Sequence, residues 1–376
     1  MAEQDRISPR QFVALAFLSA LTPMIRRFPR VLSETAGRTA WLAAALSVLP
    51  AAAAIGFAAM LCRGRTAPVS FSARLCDSLG RAPGRALTAL YGLWMLFYAA
   101  FLLRAGALRF ISTVYPDAAP WVFLAVGALL CGIAALGRLK TLARTAMVVR
   151  AGPVLVFAAV FALTAKDLDL PLLLPVTAAD LLPDLAGAAQ AVNALSAVAV
   201  LGFCGDRLER RLRLRDFAGW AAALLAMLAC MTASCIGMFG PALTAQLSYP
   251  FFMLVRDVTV LGSLERTEPV VIALWVFSDY LFVSLLLLLA GKALREALGF
   301  PADDGAMRRT DLSRGRWLLP LGTALALAAS LLPVSGRDFD LLSETVVPLL
   351  NAALVFALPL LALLIGALRR KRGRPR

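Results

Sequence analysis

Residues 18–32 read LSALTPMIRRFPRVL, and their reading decides the class of the chain. The run is largely apolar, yet Pro23 and Pro29 each remove a backbone donor and clash with the preceding turn. Non-helical backbone at membrane depth is tolerated only where protein or an internal cavity surrounds it, so an apolar helix interrupted here points to a polytopic protein with an interior site. Outward from this stretch, apolar blocks recur along all 376 residues, of which 60% are hydrophobic, with a mean hydropathy of +0.79. A span needs roughly 20 mostly apolar residues to cross about 30 Å of hydrocarbon. Ten blocks qualify, at about 10–32, 40–61, 87–109, 119–136, 146–165, 184–205, 216–239, 269–291, 317–334 and 345–366. The expected fold class is all-α integral membrane. One transmembrane domain over 1–376 is expected, because the longest polar interruptions, near 62–86, 240–268 and 292–316, are too short to bury a core of their own.

The net charge of +15 is explained by topology rather than by a nucleic-acid partner. With the N-terminus inside, most of the 38 Lys and Arg fall on cytoplasmic segments, as the positive-inside rule requires, and both termini are cytoplasmic. The acidic residues Asp167, Asp169, Asp180 and Asp184 fall on an outer segment. The tail RRKRGRPR reads as a topology anchor touching anionic lipid. The polar opening MAEQDRISPRQ leads into a span without a cleavage pattern and is expected to be retained. Cys62, Cys76, Cys131, Cys204, Cys230 and Cys235 form no zinc or redox motif, and the absence of histidine removes the commonest metal ligand and proton shuttle. No nucleophile–base pair, Walker motif or metal spacing is present, so neither an enzyme nor a cofactor is expected.

Ten spans with both ends inside divide into two sets of five that run oppositely, which permits an inverted repeat with its ligand near the bilayer midplane, where the first helix of each set is broken. The first span supplies Leu21, Thr22 and Pro23. The sixth, LAGAAQAVNALSAVAVLGFCGD over 185–206, supplies Gln190, Asn193 and Ser196 broadly on one side, with Gly187, Gly202 and Gly205 as points of interruption. A continuous first helix through 20–30 is not expected. Tyr91, Trp94 and Tyr98 form one stripe on span three, either core packing or the wall of a small-molecule pocket. Asp279, well inside span eight, needs a partner, and Arg104 of span three is nearest by depth. Such an Arg104–Asp279 pair either fixes helix register or couples to ions. Arg26 and Arg27 either meet a carboxylate ligand or snorkel to headgroups, the latter preferred. The segments carrying Phe71, Leu75 and Leu79, and Phe251, Leu254 and Val258, are short surface helices or, preferably, loops resting on the bundle.

Several stretches together resemble the spore germination permeases, the B subunits of three-part germinant receptors within the amino acid–polyamine–organocation superfamily. They are ISPRQ at 7–11, FPRVLSETAGRTAW at 28–41, RFISTVYPDAAPWVF at 109–123, GRLKTLART at 137–145 and, most specifically, YPFFMLVRDVTVLGSLERTEPVVIALWVF at 249–277. Pro29, Arg30, Trp41, Tyr249, Pro250, Glu265, Arg266, Glu268 and Trp275 carry the pattern. Thr22, Pro23, Arg26 and Arg27 stand where family members usually have small or apolar residues. The resemblance implies a ten-helix fold similar to LeuT and an amino-acid-type ligand between spans one, three, six and eight. It also implies A and C partner subunits and residence in the cell membrane or spore inner membrane. Three functions share this fold: a germinant-sensing receptor subunit, a secondary amino-acid transporter, and a structural subunit without a ligand.

Overall fold

The computed structural model describes residues 5–61, 69–114, 117–257, 268–300, 315–332 and 335–372. Among these the chain is helical, with no named strand and one isolated bridge between Ile7 and Leu208. The first helix, α1 (Pro9–Ala36), starts on a capping box: Gln11 N donates to Ser8 Oγ at 3.3 Å, and Ser8 N to Gln11 Oε1 at 2.9 Å. Pro9 follows at the first helical position, where no donor is needed, so ISPRQ is a helix-start signal. After α1 come α2 (Ala40–Leu46), α3 (Val48–Leu61), α4 (Phe71–Leu79), α5 (Arg81–Thr113), α6 (Pro120–Ala135), α7 (Leu139–Val149) and α8 (Ala151–Thr164). The second half holds α9 (Leu181–Val200), α10 (Leu214–Gln246), α11 (Pro250–Asp257), α12 (Glu268–Leu298), α13 (Leu318–Leu331), α14 (Gly336–Leu341), α15 (Val347–Ala352) and α16 (Leu358–Arg372).

Among the described residues five helices are long and apolar enough to cross a membrane: Arg81–Ser112, Leu139–Thr164, Arg215–Gln246, Val271–Leu298 and Gly336–Leu368. The bent pair Pro9–Ile25 and Arg27–Ala53, set at 60° to each other, passes the same test of length and composition when its two helices are taken together. Pro120–Ala135 and Leu318–Leu331 are shorter apolar helices. The expected interruption of the first span is thus a bend: helical structure runs on through Pro23 and Pro29. The expected second and sixth spans are divided, at Ser47 between α2 and α3, and at Leu201, where α9 passes into the 3-10 turn Leu201–Arg207 containing Gly202 and Gly205. Gly187 has a different role. A Cβ there would lie 3.1 Å from that of Ala43 and 3.4 Å from Leu32 Cδ2, so its lack of a side chain lets α9 approach α1 and α2.

The core is organised around α1, which packs on α7, α9, α10 and α12. Every side chain from Phe12 to Leu21 is buried, the mark of a helix surrounded by others. Phe12 meets Phe217 edge-on at 6.2 Å, and Phe17 meets Trp220 at 6.0 Å. The two polar interruptions that read as loops hold helices α4 and α11. Each is fixed by aromatic contacts: Phe71 against Tyr91 and Phe203, at 5.2 and 5.1 Å, and Phe251 stacked on Phe157 at 4.4 Å. Asp184, placed by its sequence context on an outer loop, is fully buried and accepts a 2.7 Å hydrogen bond from Thr39, joining the start of α9 to the turn after α1.

Candidate binding site

The bend in α1 leaves a cavity of about 230 Å³ bounded by Pro23 and Arg27 of α1, Tyr98 of α5, Gln190 of α9, and Ser343 and Glu344. The last two lie in Leu342–Val346, a π-helical turn between α14 and α15. A π turn widens the backbone ring and turns side chains out of α-register, and such turns are frequent at functional sites. Here it directs Ser343 and Glu344 to α1: Arg27 Nη1 donates to Ser343 Oγ at 3.0 Å and Nη2 to the Glu344 carboxylate. One turn along, Arg30 donates to Glu34 at 2.7 Å and stands 3.9 Å from Glu344. Two guanidiniums and two carboxylates therefore balance at one side of the cavity. Tyr98 and Phe101 supply aromatic surface, and Thr35, Gln190 and Ser343 supply hydrogen-bonding groups. A ligand bearing both charges can exchange with the Arg27–Glu344 contact without leaving a net charge behind.

The structure sorts the sequence candidates. Pro23, Tyr98 and Gln190 line the cavity. Leu21 is fully buried in the core, and the side chains of Thr22, Asn193 and Ser196 lie outside the described residues. Tyr91 and Trp94 pack below: Tyr91 Oη donates to Leu354 O, Trp94 stacks on Tyr98 at 5.8 Å, and both rings are buried. Leu354 belongs to a second π turn, Ala353–Ala357, so Tyr91 binds a carbonyl of the chain where its helical register slips. The Gly336–Leu368 helix, through Ser343 and Glu344, takes the place that span eight was expected to fill. Arg27 meets a carboxylate of the protein itself instead of reaching for headgroups; the Arg26 side chain lies outside the described residues.

Asp279 and Arg104 do not pair. Arg104 Nη1 donates to the carbonyls of Ser330 and Leu332, at 2.8 Å each, and caps the end of α13. Asp279 pairs with Arg109, which follows Arg104 by about 1.4 helical turns, and the Arg109 guanidinium also lies 5.3 Å from the centre of the Trp275 ring. Arg109 opens the 109–123 segment singled out in the sequence, but its depth in α5 was hidden, since the helix continues to Thr113. Among the motif positions, Pro29 is buried inside α1, Arg30 joins the charged ring, Trp41 packs on the core, and Pro250 opens α11 behind Tyr249. Trp275 lies between Arg109 and Phe252, 5.8 Å from the latter. Glu265 and Arg266 fall outside the described residues, as does the side chain of Glu268.

At the opposite end of α1 a polar cluster missed by the sequence reading closes the bundle. Lys292 Nζ donates to Asp206 at 2.5 Å and to Phe203 O at 2.9 Å, and Glu296 stands 3.7 Å away. Arg207 lies 3.5 Å from Asp206 and 3.8 Å from Asp5, which accepts from Lys140 N at 3.2 Å. Ile7 N donates to Arg207 O at 2.8 Å, and Glu209 N to Ile7 O at 3.1 Å, so the residues before α1 are clasped to the chain after α9. The partners lie about 200 residues apart, which no local pattern reveals.

Comparison with known proteins places this geometry. The sequence model of the spore permease family, described as spore germination protein, matches residues 6–300. No curated protein sequence matches the chain. Among solved structures, the chain is similar to a Na+-coupled sialic acid symporter in a substrate-bound, outward-open state, at 11% identity and a TM-score of 0.62. That likeness covers 93% of this chain and 78% of the symporter, and at such low identity it speaks for the transporter fold alone. Family and neighbour are both permease-type membrane proteins, and the match over residues 6–300 assigns this multi-pass chain to the spore germination permease family.

Proposed function

We propose that this chain is the germinant-sensing membrane subunit of a spore germination receptor, taking an amino-acid-type ligand in the cavity beside the α1 bend. The observation that carries the reading is the Arg27–Glu344 contact at that cavity, which joins α1 to the π turn and offers both charges to a zwitterion. A ligand that replaces the contact changes how α1 and the last span are held, and the shift passes to partner A and C subunits. We place the chain in the spore inner membrane with ten spans and both termini cytoplasmic, as the charge distribution suggests. The symporter likeness favours a second reading, a secondary amino-acid transporter using the same cavity.

Deleting the gene from its spore-forming host and scoring germination against single amino acids, with the intact gene restored as control, separates the two. Loss of the response to one ligand class supports the receptor. Unchanged germination with reduced amino-acid uptake in growing cells supports the transporter.

A further inference from the structure

The Arg109–Asp279 pair lies at the base of a second cavity, of about 240 Å³, that shares no residue with the first. It is enclosed by α5, α6 and α12, and apart from the ion pair its walls are almost wholly apolar. Two glycines line it, and a side chain on either would point at its walls in ordinary contact. A Cβ on Gly106 would lie 3.4 Å from Asp279 Oδ2, and one on Gly127 3.4 Å from Leu103 Cδ2. Its rim faces outward from the bundle, with Val126 52%, Leu130 50% and Val276 47% exposed. Asp279 follows Glu268, the first residue of α12, by eleven positions, or about 16 Å at 1.5 Å per residue, so the cavity opens to the middle of the bilayer.

We infer that this cleft binds a small neutral amphiphile of the alkanol type, entering from the lipid with its hydroxyl against Arg109 and Asp279. Charge decides the head group. The pair is neutral as a unit, and in a low-dielectric setting an ionised head would leave one charge uncompensated. A hydroxyl can donate to the carboxylate and accept from the guanidinium, so it matches both members of the pair alongside their existing contacts. Selectivity rests on that head group, because an alkyl chain already dissolved in lipid gains little by moving into another apolar surrounding. Size sets the class: the cavity falls below the ~300–1,000 Å³ of pockets for drug-sized ligands.

The test is photolabelling of the full chain in liposomes with an octanol-length alkanol carrying a diazirine, the adducts being mapped by mass spectrometry. Adducts are expected at Phe110, Cys131 or Tyr280 at about tenfold the level on Leu129 and Ile133, lipid-facing residues of the same α6 helix. Unlabelled octanol should displace them, and octane should not. Val126→Trp, a change at an exposed rim position, should abolish the cleft adducts while leaving those on Leu129 and Ile133. Asp279→Asn should weaken displacement by octanol. Even labelling of α6, or cleft labelling that survives Val126→Trp, overturns the proposal. Equal displacement by octane and octanol also overturns it, since the occupant would then be an acyl chain held without head-group recognition.

Discussion

Arg27 and Glu344 stand more than three hundred residues apart in sequence, yet the guanidinium of one donates to the carboxylate of the other across the cavity between α1 and a π turn. Glu344 is half exposed on its side chain, so the pair adds little to folding stability. Under the proposed function its effect belongs to ligand response. Arg27→Gln or Glu344→Gln should move the amino-acid concentration for half-maximal germination by about 5–30-fold, which corresponds to about 1–2 kcal/mol of coupling. The charge-reversed double variant should recover part of the shift. Unchanged dose–response curves for both single variants would separate the pair from sensing.

Tyr98 invites mutation as a pocket residue, but the choice of substitution matters. The ring is buried between Trp94, Phe101 and Phe282, so Tyr98→Ala should cost about 3–5 kcal/mol of stability and confuse folding with recognition. Tyr98→Phe keeps the stack and removes only the hydroxyl. It is expected to fold normally, by its thermal unfolding midpoint in nanodiscs, and to alter which amino acids trigger germination.

The bend in the first helix was legible because proline chemistry is local: Pro23 and Pro29 announce a departure from straight helix wherever they stand. The helix start at Ser8–Gln11 rests on equally local chemistry, although in the sequence ISPRQ is read only as part of the family resemblance. Whether the chain bends or unwinds at the prolines is set by packing around α1, beyond local reading. The ion pairs fared worse. Arg104 and Arg109 lie on one helix less than two turns apart, so depth alone could not choose between them. The choice was made by the carbonyls of Ser330 and Leu332, left open at the end of α13, which hold Arg104. Glu344 was invisible because its direction depends on a π turn without a sequence signature.

A buried ion pair is more costly to halve than to remove. Arg109 is 6% and Asp279 17% exposed on their side chains, so Arg109→Ala or Asp279→Asn should each lower stability by about 3 kcal/mol. The double change Arg109→Met with Asp279→Leu should recover most of that loss. A double-mutant cycle between Arg104 and Asp279 should be additive within about 0.5 kcal/mol, because the two groups serve different partners. Strong coupling in that cycle would contradict the capping role of Arg104.

Closure at the end of the bundle where α1 begins has its own reporter. Cys204 is fully buried and lines the cavity formed by Asp5, Asp206, Arg207 and Lys292, so a thiol reagent reaches it only when the clasp opens. Of the other cysteines, Cys76 lies in α4, where burial pushes its thiol pKa up and lowers its reactivity at neutral pH. Replacing Cys62, Cys76 and Cys230 by serine leaves Cys204 readable above two other buried thiols, Cys131 and Cys235. In that background Lys292→Met removes the contacts to Asp206 and the Phe203 carbonyl at once. Each 1.4 kcal/mol by which opening becomes easier raises alkylation about tenfold, and loss of two charge-assisted bonds predicts a rise of at least that size. Cys204→Ser should abolish the increase. If alkylation stays at the starting rate in Lys292→Met, the Asp206–Lys292 contact does not hold this end shut, and the backbone bridge of Ile7 to Leu208 must carry the closure instead.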